Sequence, residues 1–171
     1  MTVFIRIGLA ILFLDELVVS AWNAFSPETF YRYFPTVDLT PPFSEHYARD
    51  FGGATLGIAL LLGIALIKPK THFVVPAVLA FSIFAVPHFF YHVAHLDGAA
   101  VGESIALTAA NAVVALLGIA TIILAIVRHR RVSSTTPGDP RDSRRQRRNR
   151  TRSGSPSVAG CGDDRGGPNM S

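Results

Sequence analysis

Cysteine is nearly missing from this 171-residue chain: one residue, Cys161, stands near the C-terminus. No intramolecular disulfide can form, and the zinc and redox motifs built on paired cysteines are excluded. Charge is the second scarcity. Only 16% of the residues are Asp, Glu, Lys or Arg, against 49% hydrophobic, and the charges are unevenly spread. Met1 to Val127 carries Arg6, Arg32, Arg49, Lys68 and Lys70 against eight acidic residues, a net of −3. From Arg128 onward eleven arginines and four aspartates give +7. The total of +4 therefore describes a slightly acidic hydrophobic body with a basic tail.

Polar residues at every third or fourth position, the mark of a soluble amphipathic helix, are also lacking. Stretches such as "GGATLGIALLLGIALI" and "ALTAANAVVALLGIATIILAIV" are apolar all round. Four segments reach the roughly 17 to 25 residues that a bilayer-spanning helix needs: Val3 to Phe25, Phe51 to Ile67, Phe73 to Val93 and Ala99 to Val127. The first could be mistaken for a cleaved signal, but Asp15 and Glu16 in mid-segment argue for a retained helix. The fold class expected is all-α: a four-helix transmembrane bundle over residues 1–130, followed by a disordered, Arg-rich cytoplasmic tail over 131–171.

Short loops rich in Lys and Arg stay on the cytoplasmic side. Lys68 and Lys70 follow the second segment, and Arg128, Arg130 and Arg131 follow the fourth. This places the chain in the cell membrane as a multi-pass protein with both termini cytoplasmic. The long connection "SPETFYRYFPTVDLTPPFSEHYARD" then lies outside, with a short interfacial helix around Pro27 to Tyr33 and an extended lid through "TPPF". Gly53 and Gly57 have the spacing that lets membrane helices approach closely, read first as packing within the chain and second as a face for another copy or a membrane partner. From Ser133 onward large apolar residues almost vanish, so the tail cannot bury enough surface to offset its ordering entropy. Its run Arg144 to Arg152 suits anionic lipid headgroups beside the membrane rather than a specific nucleic acid.

The chemically unusual stretch is "AVPHFFYHVAHLDG", Ala85 to Gly98. His88, His92 and His95 fall within a stripe roughly 60° wide on a helix, facing one neighbour. His88 and His95 are separated by roughly 10 Å along the axis, too far for all three to bind one ion with zinc–nitrogen bonds of about 2.0 Å. At most one adjacent pair could share a metal, with His88 and His92 as weak candidates. A haem is disfavoured because His46, His72 and His129 offer no obvious opposing ligand within a helix. The histidine-box di-iron enzymes are rejected because "HFFYHVAH" supplies one fragment where several boxes are needed.

Helix rise places Asp15 and Glu16 at nearly the depth of His88, so an acid–imidazole pair between the first and third spans is expected. Pro87 frees the carbonyl of Ile83 and is expected to kink the helix toward a pocket. His46, Arg49, Asp50, His95, Asp97 and Glu103 should gather at the same outer end. Arg49 and Asp50 read either as an ion pair at a helix start or as an anion site beneath the aromatic lid.

The order of a first helix leading into "WNAFSPETFYRYFP", a second opening with "YARDFGGATLG", then two more, resembles the small four-helix bacterial membrane proteins of the DoxX-like type over about residues 4–127. That resemblance implies the fold. Relatives of DoxX have been linked to quinone-coupled sulfur oxidation, and no motif here carries that activity over. The function expected is a polar, histidine-lined pocket toward the outer face that binds a small amphipathic molecule or transfers protons. The alternatives are a non-catalytic assembly component with structural acid–histidine pairs, and a metal-binding membrane protein.

Overall fold

The computed structural model describes residues 1–35, 37 and 42–135. These form five helices, α1 (Thr2–Phe25), α2 (Pro27–Tyr33), α3 (Glu45–Ile67), α4 (Thr71–Ala94) and α5 (Val101–Thr135), with no strand among the described residues. Met1–Ser133 makes one compact unit. The unit that begins at Ser134 is described only as far as Thr135, so the Arg144 to Arg152 run lies outside the described residues. So does most of the expected lid through "TPPF", apart from Pro42 and Phe43.

Each boundary has a local cause. Ser26 leaves helical geometry at φ −137°, ψ 58° because it precedes Pro27, and Pro27 then opens α2 at a position where no N–H is needed. Ser44 caps α3, its hydroxyl accepting from the Tyr47 N–H at 3.4 Å, with Glu45 in the favourable first turn. α4 runs on through Pro76 and Pro87 and stops at His95. The turn that follows uses Gly98 at φ 91°, a left-handed conformation that a side chain would resist. Glu103 then accepts from the Ala100 N–H at 3.3 Å and secures the start of α5.

Helices α3, α4 and α5 are each long and apolar enough to cross a membrane. The sequence suggests four such segments. α1 has equal length but interrupts its apolar run with Arg6, Asp15 and Glu16. Its outward face is nevertheless mostly apolar, exposing Val3, Phe4, Ile7, Ile11, Leu14 and Val18 together with Asp15. The buried stripe of α1 is Ile5, Gly8, Leu9, Leu12, Glu16, Ser20 and Asn23, which turns polar halfway along. One core therefore fills the end nearest Lys68: Ile5, Leu9, Leu12, Leu62, Ala65, Val74, Ala77, Val78, Phe81 and Ala125. The polar residues of α1's inner face lie beyond it.

The tightest helix pair is α1 with α3. Gly52 permits it, since a Cβ there would come within 2.8 Å of the Ala24 Cα and still closer to the Ala24 nitrogen. α5 packs back onto α1 and α4. A Cβ on Gly8 would meet Thr121 Oγ1 at 2.5 Å, and one on Gly118 would meet Ser82 Oγ at 3.0 Å. The Arg128 guanidinium also donates to the Pro69 carbonyl, and Thr71 Oγ1 to the Ala125 carbonyl at 3.5 Å. Three buried hydroxyls stay within their own helices: Thr55 donates to Phe51, Ser82 to Val78 and Thr121 to Leu117, whereas the buried Thr108 Oγ1 on α5 has no partner.

Gly53 and Gly57 correct the packing expectation. A Cβ on either would meet nothing within 4 Å, so neither makes an internal helix contact. The sequence spacing drew attention to the wrong glycines because the face that α3 turns to α1 is set by Gly52, Thr55 and Ala59. Gly52→Ala should therefore destabilise by about 1–3 kcal/mol, since backbone rather than a mobile side chain blocks the added methyl. Gly57→Ala should stabilise by about 0.5–1 kcal/mol through helix propensity. Unfolding titrations of both variants in detergent check this, and equal shifts of the same sign would contradict the assigned helix faces.

Candidate functional site

At the end of the helices opposite Lys68, the connection from α1 to α3 and the C-terminal half of α4 line a half-open cavity of about 760 Å³. Its lining comes from four places. α1 contributes Asn23, α2 contributes Pro27, Phe30 and Tyr31, the start of α3 contributes Tyr47, Ala48 and Phe51, and α4 contributes His88, Tyr91 and His92. Val37, Pro42, Phe43 and Ser44 of the connection complete it. No Asp, Glu, Lys or Arg is among these residues.

α2 is held in place by α1. The Trp22 indole N–H donates to Thr29 Oγ1 at 2.8 Å, and the Trp22 ring meets Phe30 edge-on with centroids 5.7 Å apart. Phe30 in turn stacks on Phe34 at 4.7 Å, and Tyr31 meets Phe43 at 5.3 Å. A second series of rings crosses from α3 to α4: Phe51 to Phe84 at 5.6 Å, Phe84 to His88 at 5.0 Å, and His88 to His92 at 4.4 Å. The two pocket histidines are thus built into an aromatic wall.

Asn23, His88 and His92 reach the cavity without a side-chain hydrogen bond to another described residue. Asn23 is only 5% exposed and its amide bonds to no other described residue; His92 is 9% exposed and its ring nitrogens are likewise unpaired. His88, half-buried, touches Phe84 and His92 only through ring contacts. The polar atoms of Asn23 and His92 keep their access to the cavity, so a molecule there can supply the hydrogen bonds that the protein does not.

Several sequence expectations are corrected. The acid–histidine pair between spans does not form: no ion pair among the described residues joins Asp15 or Glu16 to His88. Glu16 is buried, and its Oε1 accepts from Ser20 Oγ at 3.1 Å, one turn along the same helix. Asp15 is exposed on the other side of α1. The α1 residue that shares the cavity with His88 and His92 is Asn23, two turns beyond Glu16. Equal residue counts from each helix start do not give equal depth, because packing sets the axial register.

His95 leaves the stripe as well. It ends α4, its ring stacks on Tyr91 with centroids 4.1 Å apart, and its Nδ1 lies 2.8 Å from the Tyr91 carbonyl oxygen. His46 Nε2 pairs with Asp50 at 3.3 Å on the exposed start of α3 and is not among the cavity's lining residues. Arg49 pairs with Glu45 rather than Asp50, at 2.9 Å, and donates to the Ala24 carbonyl at 2.9 Å. A guanidinium there satisfies one of the free carbonyls at the end of α1 and favours the helix dipole. Asp97 is exposed in the α4–α5 turn, and Glu103 is occupied in the cap of α5. Asn111 donates to its own helix at Leu107.

Among the described residues no group of three or more His, Cys, Asp or Glu side chains is placed to hold a metal ion. Sequence reasoning passed over Asn23, Phe30, Phe51 and Tyr91. Asn23 had a readable signal, because Glu16, Ser20 and Asn23 recur at the i, i+4, i+7 spacing that singled out the histidines. No protein-family model, curated protein or solved structure matches the chain.

Burial separates the histidines chemically. With diethyl pyrocarbonate, His46 and His95 should be modified well before His92, as read by peptide mass spectrometry. Reaction of His92 at the rate of His95 would contradict its enclosure.

Proposed function

We propose that this chain is an integral membrane protein in which α1 crosses the bilayer beside α3, α4 and α5, with both termini cytoplasmic. Its cavity faces the extracytoplasmic side and binds a small amphipathic molecule. The observation that carries this reading is the pair of unpartnered, nine-tenths buried polar side chains, Asn23 and His92, at an otherwise largely aromatic cavity. Ligand sites combine a mostly apolar wall with a few convergent polar groups in this way, typically within about 300–1,000 Å³.

Two further observations support binding over the other activities considered. The apolar core toward the Lys68 end leaves the cavity without a polar continuation through the helices, which argues against a conduit. The acid–histidine contact that a proton relay or a structural ion pair would use is not formed, and Glu16 is engaged within α1. The positive-inside pattern of Lys68, Lys70, Arg128, Arg130 and Arg131 supports the orientation. In this reading the Arg144 to Arg152 run holds anionic headgroups on the cytoplasmic leaflet. The DoxX-like resemblance enters as a proposal about descent and fold only.

Native mass spectrometry of the protein taken from its own membranes tests the reading. One small molecule should accompany the wild-type chain at a ratio of about one to one. Ala48→Phe, which fills the cavity, should release it. An identical bound mass in both proteins would remove the cavity as its site.

A further inference from the structure

The cavity also specifies the chemistry of what it holds, an inference that rests on its being a binding site. We infer that its ligand is an uncharged, planar ring compound bearing a polar substituent that both donates and accepts hydrogen bonds, such as a hydroxyl or an amide, read by Asn23 and His92.

The charge follows from the lining. None of the described residues that line the space is Asp, Glu, Lys or Arg. The nearest candidate, Arg49, is committed to Glu45 and to the Ala24 carbonyl. A charged ligand would lose its hydration and find no counter-ion among these residues, a penalty that a neutral molecule avoids.

The shape follows from the walls. One consists of Phe51, with Phe84 behind it, His88 and His92 in successive ring contact. The other comes from Phe30 and the Tyr31–Phe43 pair of α2 and the connection. Ring faces recognise flat π-systems by offset stacking and edge contacts, with gains beyond area burial. A flexible alkyl chain of equal size gains no such contacts and loses more conformational freedom on binding.

The polar substituent follows from the unpaired groups. The Asn23 amide carries donors and an acceptor, and a neutral imidazole carries one of each. A group that only accepts would leave the Asn23 carbonyl unmatched, and a group that only donates would leave its NH2 unmatched. A hydroxyl or amide can answer both.

The test uses the full chain in lipid nanodiscs and isothermal titration, with the Ala48→Phe protein in matched discs as the blank for partition into lipid. Four probes are compared: 1-naphthol, naphthalene, 1-decanol and 1-naphthalenesulfonate. Wild type should bind 1-naphthol at one site, and naphthalene and 1-decanol at least about tenfold more weakly, the cost of one unmatched buried polar contact or lost ring stacking. The sulfonate should not bind. Asn23→Leu should reduce 1-naphthol to the affinity of naphthalene, and if that variant does not fold, His92→Phe replaces it while the wild-type ranking stands alone. Equal or tighter binding of 1-decanol or of the sulfonate overturns the inference about ligand class while leaving the binding site intact. Absence of any difference between wild type and Ala48→Phe, for every probe, overturns the site itself.

Discussion

Two backbones meet where Ala24 of α1 passes Gly52 of α3, and the rest of the cavity end depends on that contact. Only a residue without a Cβ fits, because the neighbouring atoms are main chain and cannot move aside. The contact brings together two points nearly thirty residues apart in sequence, so the connection between them must fold back as a closed loop over the helix ends. Arg49 reinforces the junction by donating to the Ala24 carbonyl, and the Trp22 indole ties α2 to the last turn of α1. Phe30, Tyr31 and Phe43 are delivered over α4 as a consequence.

The same junction explains how polar residues are sorted along the helices. Toward Lys68 the interior is filled by Leu, Ile, Val, Ala and Phe81, which pack without polar atoms to satisfy. Toward the α4–α5 turn the buried positions of α1 become Glu16, Ser20 and Asn23, while its outer face is mostly apolar apart from Asp15. Ser20, Ser82 and Thr121 find partners within their own helices. Asn23 and His92 make no such bond and turn their polar atoms to the cavity, while the Thr108 hydroxyl is buried without a partner elsewhere on α5.

Much of the fold was legible because it is local. Apolar runs located α4 closely and the apolar parts of α3 and α5, which extend beyond them to Glu45 and Thr135; Pro27 and Ser26 marked the break between α1 and α2, and the short helix Pro27–Tyr33 fell where its proline start placed it. The helical period correctly set His88 and His92 side by side on α4. It also enrolled His95, which the end of the helix released to stack on Tyr91. A periodicity argument assumes that the helix continues, and at its last turn that assumption fails.

Hydropathy, proline positions and residue spacing are properties of neighbouring residues, so they gave the helices, the composition of the tail and the concentration of histidines in α4. They could not give the partner of Glu16, which proved to be Ser20 rather than His88, nor identify Gly52 instead of Gly53 and Gly57 as the close contact. Those outcomes depend on how far each helix slides and rotates against the next. Sliding and rotation are set by side-chain packing among residues distant in sequence, and only the folded chain brings Asn23, His88 and His92 to one cavity.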